Sequence, residues 1–224
     1  MPKVKIAKKS TDTDMTPFVD VAFLILSFFI MATKFKPAEP VPIETPNSVS
    51  SQTMPDNNAV MISIDKDSKV YFSVMSKKDP QLAKDVLVRA SEAMNMPITA
   101  ADVQSYQDAE LVGMPFNKLK SFMSKPPGER AKITQDGIPV LDSTKNELVY
   151  WIGAAKQVFA GEPLKYLIKG DGVSKYPTFK AVVEALKKND EQKYNLVTMP
   201  EEAPHGSDLY RERLTESQGK GKKQ

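Results

Sequence analysis

Met15-Thr16-Pro17-Phe18-Val19-Asp20-Val21-Ala22-Phe23-Leu24-Ile25-Leu26-Ser27-Phe28-Phe29-Ile30-Met31-Ala32-Thr33-Lys34 is the one membrane-length apolar stretch in the chain, and a carboxylate interrupts it. At the helical rise, residues 15–35 would extend roughly 32 Å, enough to cross a hydrocarbon core of about 30 Å. Asp20 is the anomaly. An acid in hydrocarbon is unfavourable by roughly 2.5–3.5 kcal/mol on insertion scales, and such residues usually mark proton or ion paths. A helix that only anchors is better without one.

The pattern around Asp20 says what it needs. Thr16 is a suitable N-cap and Pro17 a suitable first helical residue. The helix dipole favours an anion near that end by under about 1 kcal/mol, less than the insertion penalty. On a helix, Thr16, Asp20, Ser27 and Met31 share one face, while Phe18, Ala22, Ile25 and Phe29 lie opposite. A polar stripe of this kind wants protein or water beside it, which predicts partner helices. Lys3, Lys5, Lys8 and Lys9 precede the segment, and Lys34 and Lys36 can snorkel at its far end. The positive-inside bias puts residues 1–14 in the cytoplasm and the long remainder outside. A cleaved signal peptide would share the basic start and apolar middle. Asp20 and the lack of a small-x-small site after Ile30 favour a retained anchor.

Composition narrows the rest. The 224 residues carry a net charge of +3, which makes no case for nucleic-acid binding. There are no cysteines, so disulfides, thiolate metal sites and a cysteine nucleophile are excluded. The single His205 rules out a multi-histidine metal site within one chain.

Asp14-Met15-Thr16-Pro17-Phe18-Val19-Asp20-Val21 resembles the D-x-T-P-x-x-D-x signature of the ExbD/TolR family. In that family the signature opens the single transmembrane helix, and its second aspartate carries the proton. The resemblance implies that Asp20 is the proton carrier, with Thr16 and Pro17 holding the start of the helix, while the helix spacing adds Ser27 as support on the same face. It implies no cofactor besides protons. The implied partners are a second copy of the chain, a pentameric channel protein of the ExbB/TolQ type, and a TonB-type protein. The implied location is the bacterial inner membrane, single-pass, with a periplasmic C-terminal domain.

Residues 36–58 read as a proline-rich, disordered tether, marked by Pro37, Pro40, Pro42, Pro46 and Pro55. Fully extended, it could reach on the order of 70 Å. Val41-Pro42-Ile43-Glu44-Thr45-Pro46-Asn47-Ser48 is similar to the V-x-L-P-x-S segment that follows the family's helix, with Thr45 at the leucine position. The similarity implies that Val41, Ile43 and Pro46 meet partners and that the segment helps to regulate proton leak.

Residues 59–200 read as one outer domain. Val60–Ile64 and Val70–Val74 form a hairpin around Asp65-Lys66-Asp67-Ser68-Lys69, which lacks the glycine and distal glutamate of a calcium loop and reads as a solvated turn. Residues 76–146 are helical in character. Leu82, Val86 and Met94 space a helix over 81–94, Thr99-x-x-Asp102 opens a second, and Phe116–Met123 suits a third. Pro126-Pro127-Gly128 breaks the chain. Thr144-x-x-Glu147 reads as a capping box for the helix of Trp151, ended at Gly161, with Trp151 in the core. A strand (164–169), a helix (176–188) and a strand (194–199) follow. Gly170-Asp171-Gly172 lacks G-K-[ST] and reads as a tight turn. Residues 168–176 resemble the strand and "A-D"–"v-x-Y" stretch of ExbD outer domains. Residues 76–146 exceed what relatives have there and read as a helical insert. Residues 201–224 read as a disordered tail.

The expected fold class is α+β, a single N-terminal transmembrane helix followed by a small mixed α/β periplasmic domain with a helical insert. The expected function is a proton-channel and motor subunit that energises TonB-dependent transport at the outer membrane. A TolR-like envelope-stability subunit and a flagellar-type stator subunit are the alternatives. An enzyme is not expected, because the outer region shows no nucleophile–base pair, metal constellation or cofactor motif.

Overall fold

The computed structural model describes residues 15–32, 41–49, 54, 55, 57–76, 79–107, 111–130, 132–201, 205, 207, 210 and 211. The basic N-terminus expected at 1–14, residues 36–40, 50–53 and 56 of the tether, and most of the tail expected at 201–224 lie outside them. The chain divides into two compact units, Met1–Glu39 and Pro40–Gln224.

The first unit contributes one helix, α1 (Thr16–Ala32). At 17 residues it is about 26 Å long. No helix among the described residues is long and apolar enough to cross a membrane. The expected span of 15–35 runs past the end of α1 into residues outside the described set.

The second unit is a mixed α/β domain. Its strands are β1 (Asn47–Ser48), β2 (Ala59–Ile64), β3 (Val70–Met75), β4 (Lys165–Gly170), β5 (Asn195–Val197) and β6 (Met199–Pro200). Its helices are α2 (Gln81–Ala93), α3 (Ala100–Gln107), α4 (Phe116–Met123), α5 (Pro127–Arg130), α6 (Leu148–Val158) and α7 (Tyr176–Lys188). One sheet runs β3-β2-β4-β5. β2 and β3 are an antiparallel hairpin in the register Ile62↔Phe72. β2 pairs with β4 in parallel, as does β4 with β5. Parallel neighbours need a crossover, which α7 supplies between β4 and β5, and the stretch from α2 to α6 supplies between β2 and β4.

Both faces of the sheet bury side chains, and alternate strand residues build the main core. Val60, Ile62 and Ile64 of β2, Val70 and Phe72 of β3, and Tyr166 and Ile168 of β4 join one core with Trp151 and Ile152 of α6 and Val182 and Leu186 of α7. Trp151 is at its centre, with ring centroids of Phe72 and Phe116 at 5.2 Å and Tyr106 at 6.2 Å. Tyr106 and Phe116 come from the 76–146 stretch, so that stretch is part of the same core.

The same stretch also closes the β3 edge of the sheet. Phe72 and Val112 exchange both backbone hydrogen bonds, at 2.7 and 3.0 Å, and Ile138 N donates to Val70 O at 2.8 Å. Gly113 has to be glycine here, because a Cβ would lie 2.1 Å from the Tyr71 ring. A helix-only reading of 76–146 therefore misses two extended pieces that serve the sheet.

Several local readings are corrected. Thr144 does not cap α6, since its hydroxyl and amide bond to Asp142 Oδ1. Asn146 Oδ1 accepts from Leu148 N instead, and Glu147 Oε2 accepts from Phe116 N at 2.8 Å, reaching the first residue of α4. The sequence pattern could not show that α4 would be close enough to compete for Glu147. The other box forms: Thr99 N donates to Asp102 Oδ2 and Asp102 N to Thr99 Oγ1. The proline break ends α4, but Pro127 then opens α5, because its missing N–H is harmless in a first turn. The Asp65–Lys69 turn is not wholly solvated. Asp65 is buried, accepting from Tyr71 OH at 2.9 Å and Lys69 N at 2.8 Å. Burial and this carboxylate together raise the Tyr71 hydroxyl well above its ordinary value.

Candidate functional site

The helix carrying Asp20 begins one residue earlier than its sequence suggests. Met15 O accepts from Phe18 N at 3.1 Å and Val19 N at 3.0 Å, so Met15 holds the capping position. Thr16 is then the first helical residue and Pro17 the second, where a proline is still tolerated. Asp20 follows just beyond the first turn.

Asp20 is the only ionisable side chain of α1. It is exposed, and no hydrogen bond or ion pair reaches its carboxylate among the described residues. Thr16 and Ser27 share its face, four positions before and seven after. The rest of α1 is apolar and open. Phe23 is 67% exposed, and Phe18, Ile25 and Phe29 are exposed on the side away from Asp20. The three polar positions and Pro17 are therefore brought together by α1 itself, with nothing else of its own unit described around them.

A second group lies on the domain. Val41-Pro42-Ile43-Glu44-Thr45, expected to be part of a disordered tether, alternates half-buried, exposed, half-buried, exposed, buried, which is strand-like. Thr45, standing at the family's leucine position, is 9% exposed. Glu44 N donates to Asp171 Oδ2 and Gly172 N to Glu44 O, both at 3.0 Å. β1 then pairs with β6 in parallel, with Pro46 O accepting from Met199 N at 3.0 Å and Ser48 O from Glu201 N at 2.9 Å. Val41 and Ile43 are half-buried, and Pro46 contributes a backbone acceptor with its ring exposed. Residues 41–48 are thus docked along the domain.

Asp171 is the residue that sequence reasoning missed. Its other oxygen accepts from Val173 N at 3.0 Å, and Ser174 N donates to its carbonyl. Amide donors from Val173 and Glu44 hold the carboxyl below the usual carboxylate range, with Lys66 adding a little. Asp-Gly announces the local turn bond. The bond to Glu44, 127 positions away, has no local signal.

Among the described residues no three histidine, cysteine, aspartate or glutamate side chains gather in a way that could hold a metal ion.

A family profile described as "Biopolymer transport protein ExbD/TolR" matches residues 7–201, most of the chain. No curated protein and no solved structure matches it.

Proposed function

The chain belongs to the ExbD/TolR family, and on that premise we propose that it is the proton-carrying subunit of an ExbB–ExbD-type complex that energises TonB-dependent transport at the outer membrane. Members of this family are subunits of energy-transducing transport systems and generally work with ExbB/TolQ-type partners. The observation that carries the finer reading is Asp20, the lone carboxylate on a helix whose large apolar side chains are exposed.

In this reading α1, continued into its flanking residues, crosses the bacterial inner membrane once. The N-terminus is cytoplasmic and the 41–201 domain periplasmic. Two copies of α1 lie within a pentameric channel partner, and the domain engages a TonB-type protein. A proton moving through the membrane potential releases about 2.3 kcal/mol per 100 mV. Protonated Asp20 is stable against a dry wall of the partner, whereas ionised Asp20 needs a polar one. Alternation between the two biases the helix between two orientations and so couples charge flow to motion. The subunit couples force and catalyses no covalent chemistry.

The test is Asp20→Asn in the full chain, co-expressed with its channel partner. Proton-driven uptake should be lost while the complex still co-purifies. Uptake that persists would remove the carrier role. Firm peptidoglycan binding by the full chain, with envelope leakage rather than lost uptake in the mutant, would move the reading to a TolR-like subunit.

A further inference from the structure

Resting on the carrier reading of Asp20, we propose that Ser27 is a positioning residue for proton transfer, its hydroxyl holding the water through which Asp20 exchanges its proton toward the C-terminal end of α1. From Val21 to Ala32, Ser27 is the one side chain of α1 that can form an ordinary hydrogen bond. It lies seven positions beyond Asp20 on the same face, an axial rise of roughly 10 Å. That separation is too long for a direct bond and suits a file of a few waters. Phe23 and Leu24, which cover the turn between them, offer no donor or acceptor, and Met31 beyond them offers only a weak thioether. A water file along this face therefore has a single side-chain handle.

The hydroxyl is also unspent. A serine in an apolar helix usually bonds back to the carbonyl four residues earlier. Among the described residues, Ser27 Oγ forms no such bond with Phe23 O or any other group. A hydroxyl both donates and accepts, so it can hold a water in either orientation as the proton passes. No bond is made or broken at Ser27, and the proton stays on water or on Asp20 throughout.

The experiment uses the full chain, co-purified with its ExbB/TolQ-type partner and reconstituted in vesicles under a pH gradient. Proton flux is read as a function of pH in light and heavy water. Ser27→Ala should lower flux by about fivefold, the rate equivalent of one ordinary hydrogen bond, and raise the solvent isotope effect. Ser27→Thr, which keeps the hydroxyl, should retain both values. Unchanged flux and isotope effect in Ser27→Ala overturns the proposal. So does a loss in Ser27→Thr equal to that in Ser27→Ala, because volume and not the hydroxyl would then matter. Asp20→Asn run in parallel separates the two layers. Flux retained there removes the carrier reading itself, whereas flux abolished there with Ser27→Ala unaffected removes only the role of Ser27.

Discussion

Helices α1 and α6 are both rich in apolar residues, yet the fold treats them in opposite ways. Trp151 and Ile152 of α6 are fully buried among the side chains of the sheet and of α2, α4 and α7. The large side chains of α1 are open, and its one carboxylate has no described partner. An apolar helix with a matching sheet face in its own chain becomes core. On the proposed function, the apolar surface of α1 is covered by lipid or by other subunits. On that reading, the chain has a part that stabilises itself and a part that acts in an assembly.

Substitutions can break that division from either side. The largest effect expected is that of Asp20→Asn, which should abolish proton-driven activity of the complex and leave the unfolding transition of the domain unchanged by tryptophan fluorescence. Trp151→Ala should do the reverse. It removes the ring at the centre of the aromatic cluster and should destabilise the domain by about 3–5 kcal/mol in urea titration.

Glu147 sharpens the contrast at a smaller scale. Its carboxylate joins the start of α6 to Phe116 N of α4, and desolvation raises its pKa against that hydrogen bond. Glu147→Ala leaves a buried amide unpaired and should lower stability by about 1–3 kcal/mol. Glu147→Gln keeps an acceptor and drops the desolvated charge, so it should stay near wild type. A raised carboxyl pKa favours the folded state at low pH. Stability from this group is therefore fully present below the ordinary glutamate range and declines as pH rises through it.

Asp171 has the opposite sign and the smallest effect. Its carboxyl is depressed, so the docking of Glu44 is supported above the ordinary aspartate range and weakens as pH falls through it. Amide exchange at Glu44 and Val173, corrected for the intrinsic rate, should accelerate on acidification. Asp171→Asn should remove that pH dependence. Exchange indifferent to pH in the wild type would show that the backbone pairing of β1 with β6 holds the segment alone.

The elements of the domain were legible because they are written in short-range periodicity. The apolar run Val60–Ile64, alternation in Leu164–Lys169, and apolar spacing over 81–94 and 176–188 recover strands and helices that the fold contains. The polar face of α1 is legible for the same reason. What escaped were bonds between positions far apart in the chain. Glu147 was assigned to Thr144 and went to Phe116, and Pro42–Ser48 was assigned to a loose tether and docked on Asp171 and β6. A proline-punctuated segment has few intrinsic structural preferences, so the groups that the domain presents decide its course.

Sequence by itself singled out Asp20 as the candidate proton carrier, because a carboxylate in a membrane-length apolar stretch is anomalous. It also determined the family signature and the pattern of the strands. Only the tertiary structure decided that the 76–146 stretch shares one core with the sheet and seals its β3 edge, and that residues 41–48 belong with the domain. Those outcomes depend on contacts between positions tens of residues or more apart, whose closure entropy is offset only once the whole core forms.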